Sequence, residues 1–345
     1  MIESSLHPSE PLPLPQPSFG RSLRSVAGYG LLTALMVVPP MLVFVPAALL
    51  HCALRHGRRV AWAASVVAAA LASLYYVNVT GLTPVETKLL GADLAAVFLA
   101  LALPALLAVP MVRRGEPFGR VVLFLLIGGA LGLAATELGA RALASYSPYA
   151  LQVAEVQQLG GRMAGFYRQL GVPAEAVSAN QTWWAKNVSL VLPANLLLVS
   201  LCSFVLSLLM LGRLNVWRAH LARTEPPAAG VYLFRNLAFP DWLLFGFILG
   251  GLTPLTTGML QKVAANTLSV VVVLYILQGL AIFRYVLVAM GAGFLGTALA
   301  CLMLVLLMSS AAGPLLLGLA GLFDPFFDFR HFKKRKDDSH EGHTD

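Results

Sequence analysis

Charge is scarce in this chain. Asp, Glu, Lys and Arg together make up 12% of its 345 residues, about half the share of a soluble domain. So little charge cannot clothe a water-facing surface, which excludes an ordinary soluble globule. The marks of chemistry are missing too. There is no nucleophile elbow, no Gly-Lys phosphate loop, no His-Glu metal pair and no dinucleotide fingerprint. The three cysteines, Cys52, Cys202 and Cys301, stand singly in apolar segments, without metal or redox spacing. His340 and His343 lie near the end with no further ligand cluster beside them. The first residues lack the basic start and apolar core of a signal peptide. No enzyme activity, metal or cofactor is therefore expected, and ATP-driven work would need a partner protein.

Apolar sequence fills the space. Hydrophobic residues make up 58% of the chain, and several runs reach the length a bilayer-spanning helix needs. They are continuous and rich in Leu, Ala and Gly rather than alternating, which argues against a transmembrane β-barrel. The expected fold is an all-α, polytopic helical membrane bundle of about 8–10 segments, some broken or kinked. The apolar segments are 23–38, 41–54, 60–79, 92–112, 119–138, 188–211, 241–258, 265–286, 288–310 and a shorter 312–328. The first two meet at Pro39-Pro40 and form either one broken helix or a hairpin. Residues 1–22 read as a disordered Pro-rich tail, 23–328 as the membrane domain and 329–345 as a charged tail.

The net charge of +8 suggests nucleic acid, but its distribution argues against that. Counting 23–54 as a hairpin places 18 of the 24 Lys and Arg on the side of the N-terminus. This is the positive-inside pattern, with both termini cytoplasmic. Arg284 and Arg330 then read as cytoplasmic anchors, and the Lys333–Lys336 run as a contact for anionic membrane lipid.

The long outer insertion, 139–187, carries Val156, Leu159, Met163, Phe166, Tyr167 and Leu170 at helical spacing. It is either an interfacial helix anchored by Trp183 and Trp184 or a lid over an outward-facing pocket. Within the spans, Glu137 precedes Arg141 by one helical turn and invites an ion pair. Asp93 and Asp241 read as helix caps. Gly246 and Gly250, Gly128 and Gly132, and the Gly291-Gly293-Gly296 set read as close-packing surfaces. Thr253, Pro254 and Thr256 interrupt a short span, a pattern that points either to a transporter site or to a locally satisfied kink. Pro193 and Asn195 suggest another break. In the stretch Asn266–Tyr285, Asn266 and Arg284 share a face about 27 Å apart, while Gln278 lies deep and about 120° away. Gln278 is either interhelical glue or part of a site.

The segment "NTLSVVVVLYILQGLAIF", followed by "GLFDPFFDFR", resembles the YybS-like family of bacterial integral membrane proteins (domain of unknown function 2232). The Arg-rich turn in "FVPAALLHCALRHGRRVAW" extends the resemblance. It implies a bacterial inner-membrane location. That family is distantly similar to the substrate-binding subunits of energy-coupling-factor transporters. The implied function is a vitamin-like small-molecule transport or substrate-binding subunit with an energising ATPase partner. The alternative is a non-transporting membrane scaffold or assembly partner. On the transport reading, a ligand is expected near Asn266, Thr253, Thr256, Gln278 and Glu137.

Overall fold

The computed structural model of the chain describes residues 19–37, 41–80, 84–214, 232–310, 312–327 and 329–330. The Pro39-Pro40 junction and most of both tails lie outside these residues. Helix α1 spans Phe19–Leu35. A 3-10 turn, Met41–Phe44, leads into α2, Val45–His56, and α3 follows at Arg58–Thr80. Helix α4, Pro84–Val97, passes through a π turn, Phe98–Ala102, into α5, Leu103–Arg113. Then come α6, Phe118–Ala144, α7, Pro148–Gln169, and α8, Ala174–Arg213. The short α9, Leu243–Gly251, precedes α10, Gly258–Ala289, α11, Phe294–Met308, and α12, Ala312–Phe327.

Every apolar segment read from the sequence contains a helix, and no strand occurs among the described residues. The chain is an all-α polytopic membrane bundle. Four stretches are long and apolar enough to cross a bilayer: Leu90–Arg113, Phe118–Ala144, Ala174–Arg213 and Gly258–Ala289. Helices α11 and α12, bent by 110°, make a fifth if counted together. The expected span 241–258 is shorter as a helix. Pro254 stops α9, and a 3-10 turn, Thr253–Leu255, follows it.

Cross-helix pairs fix the arrangement of the first two helices. Ser25 Oγ meets His56 Nδ1 at 3.2 Å, and the Tyr29 hydroxyl meets His51 Nδ1 at 2.7 Å. As the α1 number rises the α2 number falls, so the two run antiparallel as a hairpin. Helix α2 sits at the centre of the bundle. Its Leu49, Leu50 and Cys52 are fully buried in one core cluster with Leu106 of α5 and Leu201, Phe204 and Leu208 of α8, the helices it packs against.

Glycine lets backbones touch at two places that shape the molecule. A Cβ at Gly132 of α6 would stand 2.1 Å from the Leu99 carbonyl oxygen in the π turn. On the other side of the bundle, a Cβ at Gly279 of α10 would stand 2.0 Å from the Leu317 oxygen, and one at Gly321 of α12 would stand 2.0 Å from the Tyr275 oxygen. The Gly291-Gly293-Gly296 set, expected to pack, does not. Gly291 turns the chain with φ +68°, nothing lies within 4 Å of a Cβ at Gly293, and a Cβ at Gly296 would meet only Ala292 of the preceding turn. The residues between α10 and α11 form a turn, and a turn exposes what a continuous helix would have buried.

The insertion forms an antiparallel hairpin from α7 and the first part of α8, closed at Gly171 with φ +79°. At 1.5 Å per residue α8 is about 60 Å long, twice the hydrocarbon thickness. Its first part therefore reaches beyond the bundle, with α7 packed along it. Val156, Leu159, Met163 and Tyr167 line the seam with α8, Leu159, Met163 and Tyr167 staying partly open to the surroundings, while Phe166 and Leu170 lie off the seam and are exposed.

Candidate functional site

Two adjoining cavities lie in the half of the bundle nearest the hairpin. They measure about 260 and 380 Å³ and share Ala96, Leu133, Gln152 and Leu196 as walls. Helices α4, α6 and α8 supply the sides, and the first turns of α7 supply Pro148, Tyr149 and Gln152. The π turn borders the larger cavity through Ala100 and Leu101. Its cause is local. Pro104 has no N–H for the next helical bond, and the Leu103 N–H reaches back to the Phe98 carbonyl. Mostly apolar walls with a few converging polar groups are the usual make-up of a small-molecule pocket.

The polar lining sorts into engaged and free groups. Glu137 is engaged: Arg141 Nε donates to its Oε1 at 2.6 Å, Ser147 Oγ at 2.5 Å, and the Tyr149 N–H reaches its Oε2 at 3.0 Å. Glu137 thus fastens the start of α7 to the end of α6. Thr136 donates to the Gly132 carbonyl, Ser200 to the Leu196 carbonyl, and the Tyr149 hydroxyl to the Ser189 carbonyl. Burial, with the nearby Glu137 charge second, raises the Tyr149 phenol above its ordinary value and keeps it a donor. Asp93 and Gln152 remain. Both line the larger cavity, and no side-chain hydrogen bond joins either to another described residue. Asp93, expected to cap a helix, lies inside α4, because that helix starts at Pro84. Sequence reading passed over Gln152 and Tyr149 altogether.

Asn266 does a different job. Pro193 interrupts the hydrogen-bond ladder of α8. The Asn266 carboxamide fills the gap: its Oδ1 accepts from the Ala194 N–H at 2.7 Å and its Nδ2 donates to the Leu190 carbonyl at 2.7 Å. Those are the two groups a regular helix would have joined to each other. Nδ2 also lies 2.6 Å from the Lys262 carbonyl of its own helix. The Ser189 carbonyl, which Pro193 cannot serve, accepts from Tyr149. Side chains of α10 and α7 thus complete the kink, and Pro193 itself lines the smaller cavity.

Gln278 sits at the opposite end of the bundle, 1% exposed. Its Oε1 accepts from the Phe239 N–H and its Nε2 donates to Asp324 Oδ2, both at 3.1 Å. Arg330 Nε pairs with the same Asp324 oxygen at 3.3 Å. Its two Nη atoms hold the Arg235 and Leu237 carbonyls at 3.0 and 2.6 Å. Asn266 and Gln278 therefore do not share a site. Thr253 and Thr256 donate to the Gly250 and Thr253 carbonyls, within their own turn. Arg284 is exposed.

A further cavity of about 420 Å³ lies in the hairpin seam. Trp184, Tyr167, Gln157, Asn180 and Gln181 line it together with apolar residues. Trp183 packs edge-on against Trp184, with ring centroids 5.4 Å apart. Its lining holds no charged side chain and comes from α7 and α8 alone, so it ranks behind the bundle cavities as a specific site. No group of His, Cys, Asp and Glu suited to a metal occurs among the described residues.

A family model described as a predicted membrane protein (DUF2232) matches residues 29–325. No curated protein and no solved structure matches the chain.

Proposed function

The chain belongs to the DUF2232 family of predicted membrane proteins, and from that premise we propose that it binds a small molecule from the outer side of a membrane. It would do so as the substrate-binding or transport component of an uptake system. The observation that carries this reading is the pair of adjoining cavities beside the hairpin, with Asp93 and Gln152 presenting polar atoms that no described residue engages. The positive-inside pattern supports an outward position for that half of the bundle. The start of α7 lines the smaller cavity, as a lid would. A YybS-like bacterial inner-membrane protein with cytoplasmic termini fits this reading, and so does the distant similarity to energy-coupling-factor subunits. Uptake driven by ATP would call on a separate ATPase subunit.

The test is mass spectrometry of small molecules that copurify from the native membrane. A Leu133→Trp variant, which fills the wall shared by the two cavities, is the control. We expect a compound with the wild-type protein and its loss from the variant. Identical extracts from both would sink the reading.

A scaffold role has one observation of its own. Helix α11 has no buried residue, so its apolar surface meets lipid or another protein. Crosslinking from α11 that captures a defined membrane protein, with Leu133→Trp leaving the extract unchanged, would favour it.

A further inference from the structure

The larger cavity is bordered by a charge that no described residue on its walls neutralises. Asp93 and Glu137 are the acidic residues lining the two cavities, and no basic side chain among the described residues lines either. Glu137 is already matched by Arg141. Asp93 is not. The groups that interact with it electrostatically are Glu155 of α7, which adds negative charge, and Tyr146. Asp93 is exposed at the edge of the cavity, so its carboxylate faces whatever enters and favours a positive partner.

We propose that the ligand supplies that partner: the cavity takes a small organic cation. Its ammonium group sits against the Asp93 carboxylate, with the Gln152 side-chain carbonyl as a second acceptor. Its apolar body lies against Leu94, Val97, Leu133 and Leu196. This rests on the small-molecule reading above and names the class of molecule. Other classes fit less well. An anion meets the like charge of Asp93. A hard metal ion needs several oxygen ligands at once, and one carboxylate with one amide falls short. A neutral apolar molecule leaves the carboxylate unmatched. The engaged groups leave no rival anchor, because Glu137, Thr136, Ser200 and Tyr149 all have partners.

The experiment uses the full-length protein in lipid nanodiscs. Three probes share one ring and one chain length: phenethylammonium, its neutral N-acetyl derivative, and phenylpropionate. Binding is followed by ligand-observed NMR and by the shift in Tm. We expect phenethylammonium to bind, with affinity at least about tenfold weaker for Asp93→Asn, in line with loss of a charge-assisted hydrogen bond. Asp93→Glu retains part of the binding, and Gln152→Leu weakens it less than Asp93→Asn does. The neutral and anionic probes are expected not to bind. If all three probes bind alike, if none binds, or if Asp93→Asn binds the cation as well as wild type does, the proposal is overturned. Should Asp93→Asn fail to fold, the probe series on the wild-type protein still decides the sign of charge. A copurifying ligand that is neutral or anionic, and is lost in Leu133→Trp, would remove the cation assignment and leave the binding reading standing.

Discussion

Asn266 shows how one side chain can stand in for a peptide group. A helix with proline inside it loses a hydrogen bond and exposes a carbonyl, and hydrocarbon offers no water to satisfy either. The Asn266 carboxamide presents one acceptor and two donors, and all are used against backbone. Asn266→Leu keeps the branching at Cγ and removes every one of these bonds. The expected loss is about 1–2 kcal/mol, the scale of interhelical hydrogen bonds in membranes, read from reversible unfolding in mild detergent. The same substitution should cost less in a Pro193→Ala background, where the Ala194 N–H can return to the Leu190 carbonyl. Equal costs in the two backgrounds would show that Asn266 does not repair the kink. The sequence made Asn266 and Pro193 visible as polar and strained. It could not show that they meet, because 73 positions separate them and only the packing of α8 against α10 joins them. Asp93 was misread for a local reason. The apolar run began only at residue 92, just before Asp93, whereas the helix runs through from Pro84.

At the scale of elements, glycine placement decides where helices come close enough to touch. Gly132 and Gly139 lie on the same helix, α6, and look alike in the sequence. A Cβ at Gly132 would run into the Leu99 oxygen, while a Cβ at Gly139 meets nothing within 4 Å. Gly139→Ala should therefore leave stability unchanged or raise it by about 0.5–1 kcal/mol through better helix propensity. Gly132→Ala must push α6 off the π turn, and should cost about 1–3 kcal/mol as overpacking does. Because that turn borders the larger cavity, Gly132→Ala should also weaken ligand binding while Gly139→Ala does not. Melting curves for the two variants in parallel, with the binding assay, check both statements. The helices themselves were legible, since long apolar runs have few ways to satisfy their backbone in lipid. Their ends were not. Helices α8 and α10 both start earlier than their apolar runs, since α7 packs along the added turns of α8 and polar residues are tolerated beyond the hydrocarbon. The π turn had a visible cause in Pro104, yet proline alone does not say whether a helix kinks or widens.

Across the whole molecule, the two ends of the bundle use their polar groups differently. The hairpin end leaves Asp93 and Gln152 free, whereas the opposite end spends Gln278, Asp324 and Arg330 on tying the chain together. Arg330 pairs with Asp324 on α12 and holds two carbonyls of the segment before α9. The cluster thus joins α10, α12 and residues 235–239, three parts that are distant in sequence. Asp324 is 8% exposed and its Oδ1 has no partner, so the pair is imperfectly compensated even when intact. Removing one member of a buried pair leaves the other charge stranded, at a cost of about 3–5 kcal/mol. Arg330→Gln should therefore destabilise strongly, and Asp324→Asn somewhat less, since Asn can still accept from Gln278. The double variant should lose less than the sum of the two, because no stranded charge remains. Ligand binding at the hairpin end should survive in whatever fraction stays folded, since no residue of this cluster lines the cavities there. A double-mutant cycle on unfolding, with binding measured on the folded fraction, separates the outcomes. Additive losses would mean that Asp324 and Arg330 do not act as a pair. Loss of binding without loss of stability would mean that the two ends are coupled, which makes the cluster part of the working site rather than its support.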